Sequence, residues 1–314
     1  MRKIGVDILG GDYAPDVTVK GAILAQKELP SDTKLVLIGD EQKIKEIAKQ
    51  KNFDTSVWEI VHTVEFIGMG EYPAKAYQQK PSATIPVGFN LLQSGEIDGF
   101  ASAGSTGAMM VGAMMVIKVI EGVIRPSIAT FIPSGTDIPS LILDVGINPD
   151  TRPDVLYQYG ILGSLYAEHV LNIKSPRVAL LNIGSEEEKG NLLTKAAYPV
   201  FKESKDFNFY GNIEGHDLFS NEKADVIVCD GFVGNVVLKE AEAFYHLIKK
   251  RKVTDPYFEE FNYENYGGTP ILGVNSVAII GHGISNDIAI KNMILQTCHV
   301  VEAGLIDKIK EAFK

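Results

Sequence analysis

Gly99-Phe100-Ala101-Ser102-Ala103-Gly104-Ser105-Thr106-Gly107-Ala108 joins an apolar run to a glycine- and hydroxyl-rich turn, and a second apolar run follows over 109–120. The first run reads as a strand and the second as a helix. No side chain between them is large. Backbone N–H groups can therefore converge on an anion where the helix begins, and the helix dipole favours negative charge there. One such turn is weak evidence. Further Gly- and Asn-rich turns follow other predicted strands, and together they point to an enzyme that handles phosphate.

Outward from this stretch, short β-branched runs at 3–8, 35–38, 58–61, 128–133, 141–144, 178–183, 207–211, 226–229 and 277–280 alternate with helical patterns at 16–29, 41–50, 83–92, 153–171, 191–203, 235–250 and 286–303. Alternation of this kind predicts an α/β fold with helices on both faces of the sheet. Several strands are continuously apolar, as strands buried on both sides are. Ligands in such folds sit beyond the carboxyl ends of the strands, where most of the glycine-rich turns fall.

The chain has 314 residues, enough for a large single domain or two lobes sharing a core, with 45% hydrophobic and 22% charged residues. A net charge of −10 argues against nucleic acid as the partner. An acidic partner would need a local basic patch. Cys229 and Cys298 lie far apart and read as buried apolar side chains in a reducing cytosol, so a cytoplasmic location is expected. The N-terminus lacks the apolar core of a signal peptide. The longest uncharged stretch, 101–117, is shorter than a spanning helix. No repeat or long linker appears, so 1–314 is expected to be one domain, with room for a protruding segment at 251–270. Carboxylates are plentiful, but their spacing matches no metal-ligand pattern. No metal and no cofactor is expected.

Five constellations are candidates for chemistry. In Asp7-Ile8-Leu9-Gly10-Gly11-Asp12 a strand ends, two glycines allow close approach of a ligand, and aspartates flank them. Asp12 equally suits a bond within its own loop. Gly104, Ser105, Thr106 and Gly107 form the second. In the third, Asn182-Ile183-Gly184-Ser185-Glu186-Glu187-Glu188-Lys189-Gly190-Asn191, Lys189 is placed to meet a phosphate and the asparagines to donate amide hydrogens. Pairing of Lys189 with a neighbouring glutamate is the structural alternative. The fourth is Asp230-Gly231-Phe232-Val233-Gly234-Asn235, in which Asn235 equally suits a helix cap. The fifth, Gly281-His282-Gly283-Ile284-Ser285-Asn286, sets a histidine between glycines at a strand end, the best general acid/base of the six histidines. A basic run, Lys249-Lys250-Arg251-Lys252, offers a dock for an acidic carrier protein or an anionic membrane, or simply a solvated helix end.

Six motifs (DILGGDYAP, SAGSTGA, LLNIGSEEEKGN, DGFVGN, YENYGG and GHGISN) stand in one order over nearly the whole chain. In this the sequence resembles the bacterial phosphate acyltransferases of phospholipid synthesis, the PlsX family. The resemblance implies a three-layer α/β/α sandwich, Rossmann-like, related to phosphotransacetylases and to isocitrate/isopropylmalate dehydrogenases. It implies transfer of a long-chain acyl group from acyl carrier protein to inorganic phosphate, and a homodimer. A membrane glycerol-3-phosphate acyltransferase would consume the acyl phosphate, which allows a peripheral place at the membrane. Phosphate is its own nucleophile and a thiolate leaves readily, so the protein's task is to position anions and stabilise an oxyanion. On that basis Lys189, His282 and Asn182 are the expected catalytic groups. Lys189 and the 104–107 turn would hold phosphate, and His282 or Asn182 would polarise the carbonyl. Asp7, Gly10, Gly11, Asp12, Gly104, Ser105, Thr106, Gly107, Asn191, Asp230, Gly231, Asn235, Gly283 and Asn286 are the expected phosphate- and substrate-binding residues.

Two departures stand out. Where relatives carry a basic stretch before a Ser pair, this chain has Ala76-Tyr77-Gln78-Gln79-Lys80-Pro81-Ser82-Ala83, so only Lys80 and Ser82 carry over. The apolar segment before YENYGG, linked in relatives to membrane association, is cut to 251–262, with Tyr257, Phe258 and Phe261 as its bulky groups.

Two other readings stay open. Ser105 lies one residue short of a G-x-S-x-G elbow, with Ala103 in place of the first glycine, and Asp230 and His282 follow in hydrolase order. That pattern would suit a serine hydrolase of acyl thioesters, although no upstream oxyanion loop appears. A non-catalytic module that binds a phosphorylated ligand is the third.

Overall fold

Valine, isoleucine and leucine fill the predicted strands, and the inner strands they form are buried on both sides. The computed structural model covers Met1–Lys314 and describes them apart from Asp137, Asn221 and the side chain of Tyr263. In chain order the strands are β1 (Arg2–Asp7), β2 (Thr33–Gly39), β3 (Glu59–His62), β4 (Gly99–Ser102), β5 (Ser127–Ile132), β6 (Ser140–Leu143), β7 (Arg177–Leu181), β8 (Asn208–Ile213), β9 (Val226–Val228), β10 (Gly268–Leu272) and β11 (Val277–Gly281). The α-helices are α1 (Asp16–Gln26), α2 (Glu41–Gln50), α3 (Pro73–Gln79), α4 (Thr84–Ser94), α5 (Thr106–Gly112), α6 (Pro153–His169), α7 (Leu192–Lys202), α8 (Gly231–Lys250), α9 (Pro256–Glu259), α10 (Asp287–Glu302) and α11 (Leu305–Ala312).

The chain divides into two compact units: Met1–Val119 with Tyr263–Glu302, and Ile120–Asn262 with Ala303–Lys314. In the first unit the strand order is β3-β2-β1-β4-β11-β10. All neighbours are parallel except β10, which runs antiparallel to β11. The chain moves outward from β1 to β3, then returns to the other side of β1 as β4. The carboxyl ends of β1 and β4 therefore flank a topological switch point, where an open α/β sheet has its crevice.

In the second unit the order is β5-β6-β9-β7-β8. Here β5 and β6 are antiparallel and the rest parallel. The chain leaves β7 for β8, then comes back on the other side of β7 as β9. That makes a second switch point between the carboxyl ends of β7 and β9. Helix α6, with Tyr159 and Tyr166 fully buried, packs on β6, β7 and β9.

Some boundaries differ from the sequence expectation. Helix α5 begins at Thr106, inside the predicted turn, and after Gly112 continues as a π-helical turn over Ala113–Ile117. Helix α8 begins at Gly231 rather than 235, because Asp230 caps it by accepting from the Val233 N–H at 2.9 Å. Gly304, at φ 61°, ends α10 and separates α11. Among the described residues no helix is long and apolar enough to cross a membrane.

Candidate active site

Asp7 ends β1 and is 1% exposed. One carboxylate oxygen accepts from the Leu9 N–H at 3.0 Å, and the other accepts from Ser102 Oγ at 2.6 Å. Ser102 Oγ in turn accepts from the Gly104 N–H at 3.0 Å. This chain of bonds ties the end of β1 to the turn after β4, across the first switch point. Asp7 is thus a support beneath the turns rather than a group facing a ligand, unlike the contact role expected from sequence. Gly10 lies directly over it: a Cβ there would sit 2.5 Å from Asp7 Oδ2 and 2.7 Å from the Gly104 nitrogen.

Ser105 caps α5, its hydroxyl accepting from the Ala108 N–H at 3.3 Å. The N–H groups of Thr106 and Gly107, in the first helical turn, have no acceptor within the helix. They follow closely on Gly104, whose nitrogen a Cβ on Gly10 would approach to 2.7 Å. The Asp12 N–H donates to the Gly283 carbonyl at 2.8 Å, which brings the 282–286 turn to the same place. His282 is half-buried, and its Nδ1 lies 3.5 Å from the Ile284 N–H, which donates to it. Asn286 Oδ1 accepts from the Ala289 N–H at 2.9 Å and so caps α10. The first unit therefore gathers Asp7, Gly10, Gly11, Asp12, Gly104–Gly107, His282, Gly283 and Asn286 at one switch point.

Burial pushes the Asp7 carboxyl above its ordinary value, against hydrogen bonds from Ser102 and from the Leu9 and Gly10 backbone that act the other way. A raised pKa in the fold means that the protonated form is favoured there. Its stabilising contribution is complete below the unfolded carboxylate value and is lost as pH rises through the folded one. Urea unfolding of wild type and Asp7→Asn should therefore show the wild type losing ground to the variant as pH rises above the unfolded carboxylate value of about 4. A wild-type advantage that grows with pH would contradict this.

At the second switch point Asn182 follows β7 and Asp230 follows β9. Asn182 is tied into the turn: Oδ1 accepts from the Ile183 N–H at 2.9 Å, and Nδ2 donates to the Lys189 carbonyl at 3.2 Å. The Lys189 N–H donates to the Glu186 carbonyl at 3.1 Å, and Asn212 Nδ2 donates to that carbonyl at 2.9 Å. Gly190 stands at φ 106°, where a Cβ would lie 2.4 Å from Asn182 Oδ1. Glu187 pairs with Lys202. Lys189 is exposed and makes no ion pair among the described residues. The turn thus holds Lys189 by its backbone and leaves its ammonium to solvent. Asn191 caps α7 through the Thr194 N–H at 2.9 Å.

Sequence reasoning missed Asp144. It follows β6, is fully buried, and accepts from the Asn148 N–H at 2.6 Å and Asn148 Nδ2 at 3.0 Å. Burial raises its pKa as it does that of Asp7. Gly231 and Asn235 belong to this support. The Gly231 N–H donates to the Asn148 carbonyl at 2.9 Å, and Asn235 Nδ2 donates to the Val145 carbonyl at 3.2 Å. The signal was present: Val-Asp-Ile-Leu-Gly at 6–10 and Leu-Asp-Val-Gly at 143–146 both end a buried strand with Asp before a glycine turn.

Outside the turns, Lys80 is tied to Glu71 at 2.7 Å. In the basic run Lys249 pairs with Glu259 at 2.9 Å, while Lys250, Arg251 and Lys252 are exposed and make no ion pair among the described residues. The Tyr257 hydroxyl donates to the Phe219 carbonyl at 3.0 Å, and Phe219 and Phe261 rings pack with centroids 5.1 Å apart. Tyr257 and Phe261 thus have partners within their own unit.

Two parallel α/β units, each with glycine turns at its switch point and buried aspartates beneath them, define an α/β enzyme built to place anionic substrates. The fold matches the EutD phosphotransacetylase from Staphylococcus aureus with a TM-score of 0.64, at 17% identity over 96% of this chain and 94% of that one. It also matches a branched-chain phosphotransacylase from Enterococcus faecalis, with a TM-score of 0.62 at 14% identity over 96% and 99%. The family model described as "Fatty acid synthesis protein" matches residues 2–308. A phosphate acyltransferase from Dictyoglomus turgidum is 42% identical over 328 residues, covering 98% of this chain and 97% of the relative. One from Desulfitobacterium hafniense is likewise 42% identical over 98% and 97%. The chain belongs to the phosphate acyltransferase family, and it is an acyltransferase.

Proposed function

We propose that this protein transfers a long-chain acyl group from the thioester of acyl carrier protein to inorganic phosphate, giving acyl phosphate for phospholipid synthesis. What supports this is membership of the family, together with the close approach of the Gly10 and Gly104 turns at the β1–β4 switch point, where α5 begins with N–H groups that take no acceptor within the helix. A phosphate oxygen attacks the thioester carbonyl carbon. The C–O bond forms, the C–S bond breaks, and the sulfur leaves with its electron pair as a thiolate, which then takes a proton. Thr106 and Gly107 orient the phosphate. His282, set between two glycines at the end of β11, is the candidate donor to the developing oxyanion. In the second unit Lys189 takes an anionic substrate group, with Asn182 holding its turn. Lys250, Arg251 and Lys252 supply the local positive charge that an acidic carrier protein needs to approach a chain of net charge −10. The product passes to a membrane glycerol-3-phosphate acyltransferase, and the working form is a cytoplasmic homodimer that meets the membrane only peripherally.

The test is thiol release from a long-chain acyl carrier protein thioester, with and without phosphate. Release that requires phosphate and yields acyl phosphate supports the proposal. Phosphate-independent release abolished by Ser105→Ala would instead make the protein a hydrolase. The local geometry weighs against that outcome: Ser105 has an unstrained backbone (φ −60°, ψ 111°), and its hydroxyl is engaged as a cap. Saturable anion binding without turnover would mark a binding module.

A further inference from the structure

The segment 63–73 runs past both glycine turns of the first unit. A Cβ built on Gly283 would lie 2.6 Å from Met69 Cε, and one built on Gly107 would lie 2.4 Å from Pro73 Cγ. The segment thus reaches from the His282 turn to the start of α5, along the β1–β4 switch point. It is held in place by polar bonds. Glu71 Oε1 accepts from the Gly68 N–H at 2.6 Å and from Lys80 Nζ at 2.7 Å, and Lys80 Nζ also donates to the Phe66 carbonyl at 3.2 Å.

Its large apolar side chains are not buried in the core. Phe66 is 51% exposed, Met69 53% and Tyr72 74%. Ile284 and Ile288, 38% and 45% exposed, extend the apolar surface just beyond Gly283. Single exposed apolar residues need no explanation, but a contiguous apolar rim usually marks a binding surface. Its Tyr72 end adjoins Pro73, which lies against Gly107 at the start of α5.

We infer that this rim seats the acyl chain of the thioester donor, an inference that rests on the acyl-transfer function proposed above. The occupant follows from continuity with the phosphate turns. For attack, the carbonyl carbon must lie within about 3–3.5 Å of the phosphate oxygen. The methylenes next to that carbonyl must therefore leave along whatever surface borders the turns. In this unit the exposed apolar groups at the turns include Met69 at Gly283 and Tyr72 beside the Pro73 that meets Gly107, with Phe66, Ile284 and Ile288 close to them in sequence and Tyr13 next to Asp12. Each methylene withdrawn from water strengthens binding about fourfold.

The experiment uses the full chain with phosphate and the pantetheine thioesters of butyrate and decanoate, so that carrier-protein contacts do not enter. Wild type is compared with Met69→Gln and Tyr72→Ser. The ratio of kcat/KM for decanoyl over butyryl donor should fall about tenfold in each variant, mainly through KM. An unchanged ratio, or an equal loss with both donors, overturns the inference. The same variants are then assayed with the decanoyl carrier-protein thioester: an effect confined to that donor overturns the inference and makes the rim a protein-docking surface. Wild-type turnover that is absent, or independent of phosphate, with every donor sinks the acyl-transfer function, and the inference falls with it. Phosphate-dependent turnover with an unmoved ratio sinks the inference alone.

Discussion

Lys189→Met is expected to lower kcat/KM by about two to three powers of ten, the loss typical when one preorganised charge-stabilising group is removed. The local structure explains why the effect should be on activity and not on folding. Lys189 is exposed and makes no ion pair among the described residues, while its own N–H and carbonyl are bound by Glu186 and Asn182. Those bonds belong to the backbone and survive the substitution. Methionine keeps an apolar stem where the lysine stem passes Gly184. Unfolding free energy should stay within about 0.5 kcal/mol of wild type, as for surface changes generally. Steady-state kinetics beside urea unfolding checks both halves. A large loss of stability, or unchanged kinetics, would show that the ammonium serves the fold or nothing at all.

Gly10→Ala is expected to be as damaging by a different route. The new methyl would lie 2.5 Å from Asp7 Oδ2, 2.7 Å from the Gly104 nitrogen and 2.9 Å from Ser102 Oγ. None of these is the end of a flexible side chain. The Gly104 nitrogen is backbone, and the two oxygens are locked in a buried 2.6 Å bond. Either the turn after β4 or the end of β1 must move. Overpacking of this kind costs about 1–3 kcal/mol of stability. A displacement of about 1 Å in a positioning turn costs about a hundredfold in rate. Thermal unfolding should show a lowered melting temperature, and phosphate-dependent turnover should fall by about that hundredfold. Normal turnover in a folded Gly10→Ala protein would mean that the turns do not position substrate.

The sequence carried the strands and both sets of turns because their signals are local. Continuous apolar runs mark strands buried on two faces, and glycine after a strand marks the turn. What it did not carry was the direction in which polar side chains point. Asp7 and Asp230 look alike on paper, each an aspartate ending a strand before glycine. In the fold Asp7 is buried under the turns, whereas Asp230 caps α8. The long-range bond from Ser102 to Asp7, 95 residues apart in sequence, decides the first case and leaves no trace in either neighbourhood. Strand β10 was missed because Tyr-Gly-Gly-Thr-Pro at 266–270 has the composition of a turn. Pro270 has no N–H to give a ladder, yet it pairs opposite Ile279 in an antiparallel register that sequence pattern does not specify. Helix α3 was hidden in the same way, since its start depends on Pro73 at the first helical position and its packing on α5.

The central claim, that phosphate attached to these turns is itself the acyl acceptor, is met most directly by mass analysis of the product formed from 18O-labelled phosphate and an acyl thioester. The account predicts acyl phosphate that keeps all of the label, with no fatty acid released in the absence of phosphate. Fatty acid carrying oxygen from water, formed at the same rate whether or not phosphate is present, would contradict it.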